Sequence, residues 1–312
     1  MVKLYIVVPC YNEEEVLPIS SKELHSFLME MIGKKKIDES SKILFVDDGS
    51  KDSTWEIIQN LAKSDSHFSG IKFSRNFGHQ NALWAGMTAA VQDADAIVTI
   101  DADLQDDISA IEEMVDEYVK GSDIVYGVRN NRDTDTLFKR KTAELFYSFM
   151  NKLGVNTIPN HADFRLMSKR ATKTLLTFKE ENLFLRGMVP MVGYPSAEVY
   201  YSRNARVAGE SKYPLKKMIN FALEGITSFS IVPIRVVRNV GVLTLLIGII
   251  YMIYTFIQKL TGNVEVGWSS IIMSIWFLGG VQLVGLSIVG EYIGKIYFEV
   301  KGRPRFIIED HI

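Results

Sequence analysis

Short apolar runs recur through the first part of the chain, at residues 4–8 (L-Y-I-V-V), 43–46, 71–73, 97–100 and 123–126. They are apolar throughout rather than alternating, the pattern of strands buried on both faces of a parallel sheet. Between them the apolar spacing turns helical. Residues 16–32 carry Val16, Leu17, Leu24, Phe27, Leu28 and Met31, and Ser53 is placed to N-cap a helix that runs through Ala62. Small residues dominate 82–92, and a further helix is expected over about 107–120. This β-α alternation predicts a doubly wound α/β domain with helices on both faces.

Beyond it the pattern changes twice. Residues 136–153 form a basic, aromatic-rich amphipathic helix suited either to a membrane surface or to a core with a solvated edge. An A-D-F-R-L turn at 162–166, a further helix and an F-L-R-G segment at 184–187 follow. Residues 203–217 then hold Arg203, Arg206, Lys212, Lys216 and Lys217 against one acid, Glu210, and 218–232 reads as an amphipathic helix ending at Pro233. From 240 to 257, and again from 267 to 290, there is no charged residue. Each run is near the roughly 20 residues that cross a bilayer. Arg235, Arg238, Lys295, Lys301, Arg303 and Arg305 flank the outer ends, whereas the loop between has only Lys259 and Glu265. The positive-inside rule therefore expects both termini in the cytoplasm. The expected organisation is a catalytic domain over 1–210, a juxtamembrane segment over 211–235, a transmembrane hairpin over 236–292 and a cytoplasmic tail over 293–312.

Composition adds little to this picture. Of 312 residues, 47% are hydrophobic, and the excess lies in the two charge-free runs. A formal charge of −2 gives no global pull toward nucleic acid. The lone cysteine, Cys10, excludes an intramolecular disulfide and is assigned no chemistry. Strand-like sequence from residue 4 with no preceding signal segment is the further reason to expect the first domain on the cytoplasmic side.

The chemistry lies at the strand ends. Residues 97–106, I-V-T-I-D-A-D-L-Q-D, run from a buried strand into Asp101 and Asp103. Ligands of such sheets bind just beyond the carboxyl ends of the strands. Two carboxylates one residue apart can address one hard cation, Mg²⁺ or Mn²⁺, that also takes phosphate oxygens. The plainer reading is a polar turn in which Asp103 or Asp106 caps the next helix. Neither G-x-G-x-x-G nor G-x-x-x-x-G-K-[ST] is present, which argues against a Rossmann dinucleotide site and a P-loop. Instead Glu13 and Glu14, then Asp47 and Asp48, stand at the first two strand ends, where an acid can accept hydrogen bonds from ribose hydroxyls.

Six motifs follow in order: P-C-Y-N-E-E (9–14), D-D-G-S (47–50), N-F-G-H-Q (76–80), D-A-D-L-Q-D (101–106), A-D-F-R (162–165) and R-x-x-G-E-S-K-Y (206–213). Together they resemble the polyprenyl-phosphate glycosyltransferases of glycosyltransferase family 2, and the paired trailing helices are most similar to the bactoprenol glucosyltransferase branch. The resemblance implies a GT-A fold and transfer of a hexose, glucose from UDP-glucose first, to undecaprenyl phosphate with inversion. GDP-mannose is the alternative donor. It also implies residue roles. Pro9, Tyr11, Glu13 and Asp48 would line the nucleoside pocket, and Asp101, Asp103 and Gln105 would hold Mg²⁺ or Mn²⁺. Arg129, or Arg132 in its place, would contact the donor, while Arg206 and Lys212 would meet phosphate. Asp163 is the family's candidate base. A phosphomonoester with a second pKa near 6 is already mostly a nucleophile at neutral pH, so the alternative role for Asp163 is to orient Arg165 or the acceptor phosphate. A processive polysaccharide synthase is disfavoured by the lack of a Q-x-x-R-W motif and of further spans, and a silent scaffold by the intact D-A-D and E-S-K-Y segments. Gly279, Gly280, Gly285 and Gly290 permit close helix packing and self-association.

Overall fold

The computed structural model describes residues 1–130, 161–181, 183–202, 232–261 and 267–312. The expected helix at 136–153, Arg132, and the basic segment with Arg206, Lys212, Lys216 and Lys217 lie outside the described residues. The described chain divides into two units, one from the N-terminus to Ser202 together with Arg303–Ile312, the other holding the two long C-terminal helices.

In the first unit the strands are β1 (Leu4–Cys10), β2 (Lys42–Asp47), β3 (Phe68–Phe73), β4 (Ala96–Thr99), β5 (Ile124–Arg129), β6 (His161–Ser168), β7 (Ser196–Tyr201) and β8 (Ile308–His311). They form one sheet in the order β7-β5-β6-β4-β1-β2-β3-β8. The five strands read from the apolar runs are all present, and β1 pairs in parallel with both β2 and β4. Helices α1 (Leu17–Gly33), α2 (Thr54–Ser64), α3 (His79–Ala90), α4 (Ala110–Val119), α5 (Lys169–Leu176) and α6 (Leu185–Met191) complete the α/β fold. Leu4, Ile6 and Val8 pack into one core with Leu24 and Leu28 of α1, Ile58 of α2 and Met114 of α4. Val7 points the other way, toward α3. That helix sits so close that a Cβ on Gly86 would come within 2.3 Å of Val7 Cγ1, which explains its small residues.

Two strands depart from the parallel pattern. The A-D-F-R segment is not a turn but the middle of β6, antiparallel to both β4 and β5. Phe164 and Leu166 enter the main core, and Asp163 and Arg165 take the opposite face, as strand alternation requires. Polar residues inside a strand disguised it in the sequence. The expected 293–312 tail is likewise divided. Its first part prolongs a helix to Lys301, and Ile308–His311 adds an antiparallel edge to β3. Arg305 stacks over Trp84 at 4.5 Å and donates to the carbonyls of Phe178 and Glu180, while Phe306 stacks on Phe73 at 5.1 Å.

The second unit holds α7 (Val232–Leu260) and α8 (Trp268–Lys301). Within them Ile234–Tyr251 and Phe277–Lys301 are long and apolar enough to cross a membrane. Leu246, Ile250, Leu283, Val284 and Phe298 are all exposed. Apolar surface on this scale needs a non-aqueous covering.

Candidate active site

The strand order reverses at β1, whose neighbours are β4 on one side and β2 on the other. The loops leaving β1 and β4 therefore diverge and open a crevice at the carboxyl ends, the usual ligand position in open α/β sheets. On one bank the loops after β1 and β2 are laced together. Asn12 N–H donates to Ser50 Oγ (2.9 Å), Lys51 N–H to Asn12 Oδ1 (2.9 Å), Glu13 N–H to Thr54 Oγ1 (2.9 Å) and Ser53 N–H to a Glu14 carboxylate oxygen (3.1 Å). Asn12 adopts φ 54°, a left-handed conformation that asparagine tolerates better than most residues. Gly49, at φ 67°, passes the next loop so closely that a Cβ would meet the Arg75 carbonyl carbon at 2.3 Å. Only glycine fits there.

This lacing fixes the residues expected to receive a nucleoside. Pro9 is the next-to-last residue of β1, and Tyr11, just past the strand, is exposed and able to cover a base. Asp48 is buried and fully engaged, accepting from the backbone N–H groups of Phe77 (2.6 Å) and Gly78 (2.9 Å). Its carboxylate thus ties the N-F-G-H-Q loop to β2. Burial pushes its pKa up, and those two N–H groups partly offset the rise. Cys10 is buried, and burial raises its thiol pKa well above normal, so the absence of assigned chemistry agrees with its setting.

The other bank carries the acids after β4. Asp106 does not cap α4, whose N-cap is Ser109. Instead it is buried, receiving Arg129 Nη2 (2.9 Å), Arg129 Nε (3.3 Å) and Tyr201 Oη (2.6 Å). Arg129, expected at the donor, is thereby committed to anchoring the far end of the D-x-D loop on β5 and β7. Within that loop Leu104 holds φ 51°, strained for a branched apolar side chain and set at the centre of the motif. Gln105 N–H donates to Asp103 Oδ1 (3.2 Å). Asp101 Oδ1 is shielded from solvent and has no hydrogen-bond donor among the described residues, with His79 Nε2 standing 3.6 Å away. Burial drives the Asp101 pKa up to about 6; His79 opposes this, and Asp163, Asp106 and Asp103 add to it. A shielded, unsatisfied carboxylate oxygen among further acids is a donor set of hard oxygens that a divalent cation would satisfy. Asp101 and Asp103 therefore fit a metal ion, with Gln105 beside them.

Between the banks lies a network around Asp163 whose members His79, Gln80 and Arg186 have no role in the sequence reading. Asp163 on β6 pairs with Arg165 Nη2 (2.7 Å) and Arg186 Nη2 (3.2 Å), accepts from Gln80 Nε2 (3.3 Å), and lies 3.6 Å from His79 Nε2. Gln80 Oε1 in turn accepts from Leu185 N–H at the start of α6 (3.1 Å). Burial alone would raise the Asp163 pKa; Arg186, His79 and Arg165 outweigh it and hold the carboxyl well below its ordinary value. The side chain of Asp163 is only 7% exposed, against 44% for His79 and 35% for Arg186. What faces the crevice is the imidazole and the guanidinium, with the carboxylate beneath them. Only the N-F-G-H-Q and F-L-R-G motifs hinted at His79, Gln80 and Arg186.

Comparison with known proteins agrees with this architecture. Residues 5–176 match Glycosyl transferase family 2, and residues 232–296 match the GtrB C-terminal hairpin. The chain is 54% identical to an uncharacterized glycosyltransferase, YkoT, of Bacillus subtilis (strain 168), covering 98% of this chain and 91% of the relative. It is 43% identical to the SfII prophage-derived bactoprenol glucosyl transferase of Shigella flexneri, over 98% of this chain and 97% of that one. Among solved structures, glucosyl-3-phosphoglycerate synthase from Mycobacterium tuberculosis is 18% identical, with a TM-score of 0.47 over 73% of this chain and 79% of that one.

Proposed function

The chain belongs to glycosyltransferase family 2, and from that membership we propose that it moves glucose from UDP-glucose to undecaprenyl phosphate at the inner membrane. The observation that carries this reading is that both parts of the chain match at once. The catalytic domain and the C-terminal hairpin align together with a bactoprenol glucosyl transferase over 98% of this chain. The two helices long and apolar enough to cross a membrane support a seat at a membrane, as a lipid-borne acceptor requires. The flanking basic residues support a topology with both termini in the cytoplasm.

In this reaction a phosphate oxygen of the acceptor attacks the anomeric carbon, the bond from that carbon to the UDP oxygen breaks, and the configuration inverts. Tyr11 and the laced loops after β1 and β2 receive the nucleoside, with Glu13 beside them. Asp101 and Asp103 would hold Mg²⁺ or Mn²⁺. Bound there, the ion would supply positive charge to offset that growing on the departing diphosphate. Arg186 presents a guanidinium and His79 an imidazole on the same side of the crevice, both held by Asp163. Asp163 is thus a positioning group: a carboxylate held ionised by two guanidinium groups is a weak base, and the acceptor phosphate needs little help to lose a proton. Arg206 and Lys212 are proposed to receive acceptor phosphate. A Cβ built on Gly285 would stand 3.1 Å from Val237 Cγ1, whereas one on Gly279, Gly280 or Gly290 would meet no described atom within 4 Å. Those three glycines are the proposed surface for self-association.

The test is to incubate the purified full-length protein with radiolabelled UDP-glucose and undecaprenyl phosphate, with and without Mg²⁺. The expected product is a mild-acid-labile glycolipid that partitions into organic solvent. Label transferred only from GDP-mannose corrects the donor, and no labelled lipid from any nucleotide sugar refutes the proposal.

A further inference from the structure

A second cluster of ligand-type side chains lies away from the crevice. His25 projects from α1, and Asp65 and His67 come from the turn that leads from α2 into the first residue of β3, at the sheet's opposite edge. One donor atom from each residue lies within 4.8 Å of the others. His25 Nε2 is 2.9 Å from Asp65 Oδ2, and His67 Nδ1 is 2.7 Å from Asp65 Oδ1. Bonds of about 2.0–2.1 Å in a tetrahedral site set donor separations at roughly 3.3 Å, so both His–Asp edges are already short enough.

The hydrogen bonds around the cluster say more than the distances. His67 Nε2 lies 3.2 Å from the carbonyl oxygen of Glu39 and donates its proton there. With Nε2 donating there, the close approach of Nδ1 to Asp65 Oδ1 requires a cation between the two atoms, either a proton or a metal ion. An outer N–H given to a backbone carbonyl is the arrangement that orients a metal-bound histidine. His25 Nε2 is shielded from solvent and makes no hydrogen bond of acceptable geometry, although a carboxylate oxygen is 2.9 Å away. Its ring is held by stacking on Phe68 at 5.2 Å. A polar atom left in that state is costly, and a cation between the three donors resolves all of these contacts together.

We propose that His25, Asp65 and His67 form a divalent transition-metal site of the zinc class that staples α1 to the α2–β3 turn. Two imidazoles and one carboxylate suit Zn²⁺ better than Mg²⁺, and three protein ligands leave a fourth position for water. The site is separate from the hard-oxygen pair Asp101 and Asp103 and does not depend on the transferase reading.

Full-length protein stripped with chelator and titrated with Co²⁺ tests it. Near-tetrahedral Co²⁺ with imidazole ligands absorbs strongly in the visible, whereas an octahedral oxygen site absorbs weakly. Wild type and Asp103→Ala should both give the strong band and gain about 3 °C or more in Tm with excess Zn²⁺. His25→Gln and His67→Gln should lose the band and the Tm gain while keeping Mg²⁺-supported transfer, which shows that they fold. A band and Tm gain unchanged in His25→Gln overturns the proposal. So does wild type that gives no band between pH 6 and 8, which would leave a shared proton as the cation of this cluster.

Discussion

Carboxylates stand at both edges of the sheet, and the protein treats them differently. At the edge where β1 and β5 begin, each is matched to partners. Asp123 accepts from Ser168 Oγ (2.7 Å) and Arg170 Nε (2.6 Å), and Asp93 accepts from Tyr5 Oη (2.8 Å) and pairs with Lys3 (2.6 Å). Both are held below the ordinary carboxylate pKa, chiefly by side-chain hydrogen bonds from Arg170 and Lys3 respectively. Where β4 ends, Asp101 keeps a shielded oxygen without a donor, and burial raises its pKa to about 6. Asp106, five residues on, is fully matched to Arg129 and Tyr201. Satisfied acids hold the fold together. Asp101 fits a ligand's place instead, because an unpaired buried acceptor is a cost that a cation would relieve; Asp47 Oδ2, at the end of β2, is likewise shielded without a donor among the described residues.

Substitutions that cross this divide should behave oppositely. The largest effect is expected from Asp103→Ala, a loss of about 10²–10³-fold or more in sugar transfer to lipid with Tm unchanged or raised. A comparable fall in Tm would instead place Asp103 among the structural acids. Next is Asp163→Asn, expected to cost about 100-fold in kcat. Because its folded-state pKa lies well below normal, Asp163 stays ionised across pH 5.5–8, and the loss should be uniform over that range. A loss confined to the acid end would assign it proton removal.

Smaller effects belong to the matched acids and to the tail. Asp123→Asn should lower unfolding stability by about 1.5–2 kcal/mol at pH 7, toward the low end for charged hydrogen bonds because Arg170 is largely exposed. A depressed folded pKa contributes stability above the unfolded value of about 3.9 and loses it as pH falls further. Chemical denaturation at pH 7 and pH 3 should therefore show the gap between wild type and variant closing in acid. Arg305→Ala should cost about 1 kcal/mol, mainly the cation–π contact with Trp84, and reduce transfer less than tenfold. An effect equal to that of Asp163→Asn would move the tail from support into the chemistry.

Legibility in the sequence followed the range of the forces involved. β1 to β5 were readable because each is a local apolar run, and Asp101 and Asp103 because they sit one residue apart beyond such a run. β6 was missed since Arg165, 1% exposed, is neutralised by Asp163 and supported by the carbonyl of Leu185, a partner 20 residues away. β8 was missed for a related reason. I-E-D-H carries little apolar signal, and its pairing with β3 spans more than 230 residues. The same holds in the site. Asp163 was named, but the link to Gln80 crosses 83 positions, and no spacing rule connects them. Arg129 reads as a donor contact on the resemblance alone, and its pairing with Asp106, 23 positions earlier, has no local signal in the sequence.

Asp101 and Asp103 are proposed to hold a divalent cation. Mn²⁺ binding to the full-length protein with UDP present, followed by electron paramagnetic resonance in a His25→Gln background that silences the second cluster, measures this. One bound Mn²⁺ is expected, lost in Asp101→Asn and Asp103→Ala and retained in Asp123→Asn. Undiminished Mn²⁺ binding by Asp101→Asn and Asp103→Ala would contradict it.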